Sequence, residues 1–228
     1  MSSAREEFLD RVRHAVNAGN RPGRGGSIEA DNFRGFRESD TNIDLVGRFR
    51  DRFTTVGGIF HLVLDAEACV QEILRLVTTK AAHRLLLGAA KRIDDLDLAN
   101  RLKQAGSELT LVNELDSHSC RDPFFAADIG ISGVDCLVAE TGSVVLHSGS
   151  IQPRSLSLLP PVHIAIAERN QIVADLFDLF PSSQNESEQT LPSCITFITG
   201  PSKTGDIELK LVTGVHGPGE IHVILVES

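Results

Sequence analysis

Apolar positions in the first half of the chain alternate between the 3.6-residue period of a helix and the short unbroken runs of a buried strand. Ser3 and Glu6 have capping-box spacing, and Phe8, Leu9, Val12, Ala15 and Val16 then share one face up to Gly19, which predicts a peripheral amphipathic helix. From Asn20 to Asp40 glycine, arginine and acidic residues dominate, with Ile28, Phe33 and Phe36 as the apolar anchors, so little buried area is on offer to offset the ordering of the backbone. A mobile linker is the expectation, which divides the chain into residues 1–40 and one α/β domain over residues 41–228. Leu45, Val46, Phe49 and Phe53 restore the helical period until Gly57-Gly58, and IFHLVL (Ile59 to Leu64) reads as a strand. Asp65 can cap a helix carrying Cys69, Ile73, Leu76 and Val77, RLLLG (Arg84 to Gly88) is a second strand, Asp94 or Asp95 caps a helix through Leu98 and Leu102, and ELTLV (Glu108 to Val112) is a third strand. Strands separated by helices imply a parallel sheet covered on both faces.

The second half changes pattern. Asp122-Pro123 opens a short helix through Ala127, and then DCLVA (Asp135 to Ala139) and SVVLH (Ser143 to His147) flank Glu140, Thr141 and Gly142, which predicts an antiparallel hairpin and makes the sheet mixed. A polar bend (Ser148 to Ser157) precedes Pro160-Pro161 and the strand HIAIAE (His163 to Glu168). Next comes a predicted helix from Ile172 to Phe180 with Val173, Leu176 and Phe177 inward, ended by Pro181. After the polar loop Ser182 to Gln189, Cys194 to Thr199 and EIHVILVE (Glu220 to Glu227) are the last strands.

Composition narrows the function classes. With 228 residues, 41% of them hydrophobic, the chain can bury a core of its own, and a net charge of -9 with a pI near 5.3 argues against general affinity for nucleic acid or anionic membrane. The N-terminal charges interrupt any apolar core that a signal peptide or a membrane span needs, so a cytoplasmic protein is expected. Cys69, Cys120, Cys136 and Cys194 are far apart, with no C-x-x-C pair, and neither H-E-x-x-H nor G-x-G-x-x-G occurs; no metal and no cofactor is expected.

Reactive groups are densest between Ile198 and Val223, where Gly200-Pro201 and Gly217-Pro218 bracket Ser202, Lys203, Thr204, Asp206, Glu208 and His216. Lys203 can offer a point charge to a carboxylate or phosphate, with Ser202 and Thr204 as hydroxyl donors, on a turn expected beyond the carboxyl end of a strand. The alternative is a tight turn with a solvated lysine. Asp206 and Glu208 share a face if the segment is extended; orienting Lys203, binding a cation, acting as a general base and forming a structural ion pair are all open to them. His216 can serve as an acid or base, or bond a loop carbonyl. His163 either faces the same crevice or packs at the start of its strand.

Five ordered motifs, D-x-G-I (Asp128 to Ile131), A-E-T-G-S (Ala139 to Ser143), L-P-P-x-H-I (Leu159 to Ile164), G-P-S-K-T-x-D-I-E (Gly200 to Glu208) and G-V-H-G-P (Gly214 to Pro218), resemble the LUD-domain family, strongly from Arg121 to Val226. Where the family more often has threonine this chain has Ser143. The resemblance implies a three-layer α/β/α Rossmann-like fold, similar to the CoA-transferase, ribose-phosphate isomerase and glucosamine-phosphate isomerase superfamily. It also implies work alongside iron-sulfur partner proteins in oxidation of L-lactate to pyruvate, with the electron transfer in those partners. On this reading Glu140, Asp206 and His216 are the candidate catalytic groups. Thr141, Gly142, Ser143, His163, Gly200, Ser202, Lys203, Thr204, Glu208 and Gly217 would hold a small anionic ligand. A glutamate is the acyl nucleophile in the related CoA-transferase architecture, which gives Glu140 that role in an alternative reading as a free-standing acyl-CoA or sugar-phosphate transferase or isomerase. A carboxylate accepting turn amides is the other account of Glu140. A scaffold or regulatory subunit without a ligand is the third reading of the chain.

Overall fold

A computed structural model describes residues 4–19, 44–115, 121–149, 153–179, 194–205, 211–214 and 216–227. The chain forms two compact units, Met1–Asp40 and Thr41–Ser228. In the first, helix α1 (Ala4–Gly19) carries Phe8, Leu9, Val12 and Val16, all exposed within that unit. The predicted linker lies outside the described residues.

In the second unit α2 (Leu45–Thr55) begins at Asp44, whose carboxylate accepts the Gly47 N–H, and buries Phe49 and Phe53. Strand β1 (Ile59–Val63) leads to α3 (Ala66–Thr79), β2 (Arg84–Leu87), α4 (Lys91–Asp95), α5 (Leu98–Gln104) and β3 (Glu108–Leu111). Asp65 caps α3 as expected, accepting the Ala68 N–H at 2.8 Å. Asp65→Ala removes that acceptor, and the expected loss is about 1 kcal/mol of unfolding free energy, read as a lower urea midpoint at unchanged slope. The single predicted helix capped at Asp94 or Asp95 is instead two, because Asp97 breaks the run at φ 48° and stands at the N-cap of α5.

Helix α6 (Arg121–Ala126), β4 (Ile129–Gly133), the hairpin β5 (Cys136–Val138) and β6 (Ser143–Ser148), α7 (Arg154–Leu158) and β7 (Val162–Glu168) follow. Helix α7 occupies part of the predicted polar bend and buries Leu156 directly over Gly130, where a side chain would meet the Leu156 carbonyl. The helix predicted over Ile172 to Phe180 is replaced by a two-residue strand β8 (Ile172–Val173) and a 3-10 turn (Leu176–Leu179), with Phe180 outside the described residues. The Asp175 carboxylate accepts the Phe177 and Asp178 amides, an Asx turn that competes with a helix, and Phe177 is left exposed. Strands β9 (Cys194–Ile198), β10 (Lys203–Gly205), β11 (Leu211–Thr213) and β12 (Glu220–Val226) complete the described elements.

Six strands pair in the order β1-β12-β7-β4-β2-β3, and every pairing is parallel. The antiparallel hairpin belongs to a second sheet, β8-β5-β6-β9, so parallel and antiparallel strands are both present but largely partitioned. Alternation along β7 shows how the layers form. Ile164 and Ile166 face α3 and α5, packing with Cys69, Ile73, Leu98 and Leu102, while Ala165 and Ala167 face α2 and the second sheet, packing with Phe49, Phe53, Leu137 and Val144. Small alanines on that side leave room for a sheet to approach a sheet. Helices on one face, and α2 with a second sheet on the other, give the expected three-layer α/β architecture.

Candidate functional site

The turns singled out in the sequence converge on the carboxyl end of α2. Gly142, at φ +67°, closes the β5–β6 hairpin by donating its N–H to the Val138 carbonyl, and a Cβ there would lie 2.5 Å from the Phe53 nitrogen. Gly200, at φ +85°, lies so close to Val56 that a Cβ would sit 2.9 Å from its carbonyl oxygen. Both glycines are therefore demanded twice, by conformation and by contact. Lys203 Nζ donates to that same Val56 carbonyl at 2.6 Å, the place where a helix end favours a cation.

Hydroxyls form a chain beside it. Thr141 Oγ1 lies 2.7 Å from Ser143 Oγ, which lies 2.7 Å from Thr199 Oγ1, because β6 pairs with β9 and brings Ser143 next to the residue before Gly200. Ser143 is buried, Thr141 half-buried and Glu140 exposed, its backbone N–H given to the Ala174 carbonyl. Ser202 donates its N–H to the Pro218 carbonyl at 2.8 Å and accepts from the Gly214 N–H, and Gly217 packs against the Ser202 side chain. Thr204 lies in β10, paired with Val212 of β11. His216 is exposed. The structure thus brings Thr141, Gly142, Ser143, Gly200 and Lys203 onto one helix end, with Ser202 and Gly217 joined through the adjoining turn. Asp206 and Glu208 lie outside the described residues.

The position of this assembly differs from the expected one. The G-P-S-K turn follows β9 of the second sheet, and its partners Gly57 and Pro218 precede strands β1 and β12 of the six-stranded sheet. It lies at the amino ends of β1 and β12, because the strand that delivers it belongs to the other sheet.

His163 stands apart, fully buried, with Nε2 at 2.9 Å from Ser132 Oγ; burial, with a smaller push from His222, lowers its pKa to about 4. Cys69 and Cys136 are buried and Cys194 half-buried, none of these three in a disulfide; burial, helped by Asp135, pushes the Cys136 thiol up to about 11. Cys120 is outside the described residues.

One polar chain went unnoticed in the sequence. Glu72, His61, His222 and Glu220 are linked in series by contacts of 2.8, 2.9 and 2.6 Å, with Arg75 on Glu72 and Lys80 on Glu220. Two neutral rings carry two N–H groups, enough for the His61–His222 and His222–Glu220 hydrogen bonds, while the Glu72 carboxylate beside His61 Nδ1 favours an extra proton there. Burial opposes that proton and draws both histidines below the ordinary imidazole range, against the pull of Glu72 on His61 and of Glu220 on His222. The available signal was a histidine inside each of two apolar strand runs, IFHLV and EIHVILV.

Similarity to known proteins agrees with the motifs. The LUD domain family profile matches residues 46–226. Lactate utilization protein C of Shouchella clausii is 30% identical over 236 aligned positions that cover 100% of both chains. The protein of that name from Halalkalibacterium halodurans is 47% identical over 104 residues, and lactate utilization protein C 1 of Bacillus mycoides 42% over 105, in each case across 45% of this chain and 45% of the relative's length. The crystal structure of a DUF162 family protein from Deinococcus radiodurans is similar in fold, with a TM-score of 0.57 at 24% identity over 80% of this chain and 96% of the other.

Proposed function

The chain belongs to the LUD domain family, and from that premise we propose that it acts in lactate utilisation, as a cytoplasmic, non-redox component of a system that oxidises L-lactate to pyruvate. The observation that carries this reading is the end-to-end match to a lactate utilization protein C. Among the described residues no helix is long and apolar enough to cross a membrane, which is consistent with that setting. Iron-sulfur partner proteins carry the electrons in this proposal. In keeping with it, Cys136 packs in an apolar cluster where burial pushes its thiol up to about 11 and so disfavours the thiolate that an iron-sulfur centre needs. A small anionic ligand is bound by the hydroxyls of Thr141, Ser143 and Ser202 and the ammonium of Lys203, with Glu140 and His216 as the exposed groups that can exchange a proton with it. A helix carboxyl end does not itself attract an anion. Lys203 and the hydroxyl donors must therefore outweigh it, which restricts the ligand to one small enough to stay on their side.

Deleting the gene tests the pathway. Growth on L-lactate as sole carbon source is expected to fail or slow severely and to return with a plasmid copy, while growth on pyruvate stays normal. Undiminished growth of the deletion strain on L-lactate overturns the assignment.

A further inference from the structure

The six-stranded sheet reverses direction between β2 and β4: from β2 the chain moves outward to β3, and from β4 it moves the opposite way to β7. Loops at the carboxyl ends of parallel strands part company at such a point and leave a crevice where ligands bind. An opening of about 320 Å³ lies there, lined by Ala89 and Ala90 after β2, Gly133 at the end of β4, and Asp135, His147 and Ser148 at the open end of the β5–β6 hairpin. That volume is near the lower end of ligand pockets, which run from about 300 to 1,000 Å³. Glycine at position 133 keeps the opening clear, since a Cβ there would come within 2.8 Å of the Ala90 side chain.

The chemistry at the mouth is specific. Asp135 Oδ1 lies 3.1 Å from His147 Nδ1, and Asp135 Oδ2 accepts the His147 backbone N–H at 2.6 Å. With a carboxylate beside Nδ1, the neutral ring favours its proton there, so Nε2 presents a lone pair, and it has no hydrogen-bond partner among the described residues. Both side chains are partly exposed, and a small molecule can reach them. Inward, Ser148 also borders a narrow gap between the sheets, shared with Ser132 and Thr196. Thr196 Oγ1 is buried without a partner among the described residues; so, behind Ser132, is Nδ1 of His163, whose other nitrogen is bonded to Ser132. Buried polar atoms left unpaired are uncommon and call for a reason. Thr196 lines the gap that borders the crevice at Ser148, and His163 is tied to it through Ser132.

We propose that this crevice is a second ligand site, distinct from the turn assembly at the opposite end of the sheet. In it His147 Nε2, held in place by Asp135, accepts a hydrogen bond from the hydroxyl of a small α-hydroxy acid. Choosing a hydroxy acid rests on the lactate reading given above; recognition of a hydroxyl by His147 does not.

The test is a titration of the full chain, ¹⁵N-labelled, with L-lactate, glycolate, glycerol and propionate, following the histidine ring nitrogens and the backbone amides by NMR. At least one hydroxylated compound is expected to shift His147 Nε2 saturably, together with the amides of Ala89 and Ala90. Propionate, the isostere of lactate without the hydroxyl, is expected to bind about tenfold more weakly, the size of one hydrogen bond left unmade. His147→Gln should abolish the response, and Asp135→Asn should weaken it several-fold, both with a melting temperature close to the parent's. Shifts with glycolate or glycerol but not with L-lactate keep the crevice and count against lactate as its ligand. Equal binding of propionate and L-lactate, responses confined to residues 141–143 and 199–203, or no saturable shift of His147 with any hydroxylated compound overturns the proposal.

Discussion

Gly142→Ala is expected to cost about 2–5 kcal/mol of unfolding free energy, as much as emptying part of the core, although one methyl group is added at a hairpin tip. Two costs combine. An alanine at φ +67° pays about 1 kcal/mol or more for the left-handed conformation, and its Cβ would stand 2.5 Å from the Phe53 nitrogen and 2.7 Å from the Arg52 carbonyl carbon. Those are backbone atoms of α2, which cannot retreat without withdrawing the fully buried rings of Phe49 and Phe53 from between the sheets. Gly106→Ala separates the two costs, because Gly106 has φ +88° and nothing within 4 Å of its missing Cβ; its loss should stay near 1 kcal/mol. Urea unfolding of both variants decides the matter. A Gly142→Ala protein no less stable than Gly106→Ala would show that α2 does not seat on the hairpin as described.

That pair of glycines also shows how far the sequence could be read. Gly142 and Gly200 stood out as turn positions, and both have positive φ. What they touch was out of reach, since the contacted segment, Arg52 to Val56, lies about ninety residues from one and about one hundred and fifty from the other along the chain. Periodicity found β7 and β12 nearly to the residue because both are buried on two faces and read as unbroken apolar runs. It failed at Ile172 to Leu179, where a 3.6-compatible spacing of apolar residues met an Asx turn at Asp175. Nor does alternation say which sheet a strand joins. The hairpin was visible, its membership of a second sheet was not, and with it went the expectation that the G-P-S-K turn sits beyond the carboxyl ends of the central strands.

The polar groups fared unevenly for a similar reason. Ser143 and Lys203 were picked out by motif, yet the residues completing their contacts, Thr199 and the Val56 carbonyl, carry no signal of their own. His61 and His222 are 161 positions apart and meet because β1 and β12 pair in parallel, offset so that Ile59 faces His222. A histidine in an apolar run marks a position worth suspecting; its partner appears only with the register.

Acid should weaken the fold through His163 well before it reaches the carboxylates, and the group responsible can be isolated. Burial lowers the His163 pKa to about 4, whereas the unfolded chain takes up that proton near pH 6.5. Because the folded value is the lower one, the unfolded state protonates first as pH falls. The contribution of a neutral His163 is fully present above about pH 6.5, shrinks through the interval down to about pH 4, and is spent below it; the whole shift corresponds to about 3 kcal/mol, of which about 2 kcal/mol is gone by pH 5. His61 and His222 are drawn the same way and add to the slope, while Glu72, Asp128 and Glu220, all held below the usual carboxylate range, contribute at lower pH. His163→Asn keeps a polar group in reach of Ser132 but has no proton to gain, so its fixed packing cost is the same at every pH. The parent should exceed His163→Asn in stability at pH 7.5, and the gap should narrow by about 2 kcal/mol at pH 5 in matched urea titrations. Parallel curves for the two proteins would mean that His163 titrates alike in the folded and unfolded chains, which a ring sealed between two sheets cannot do.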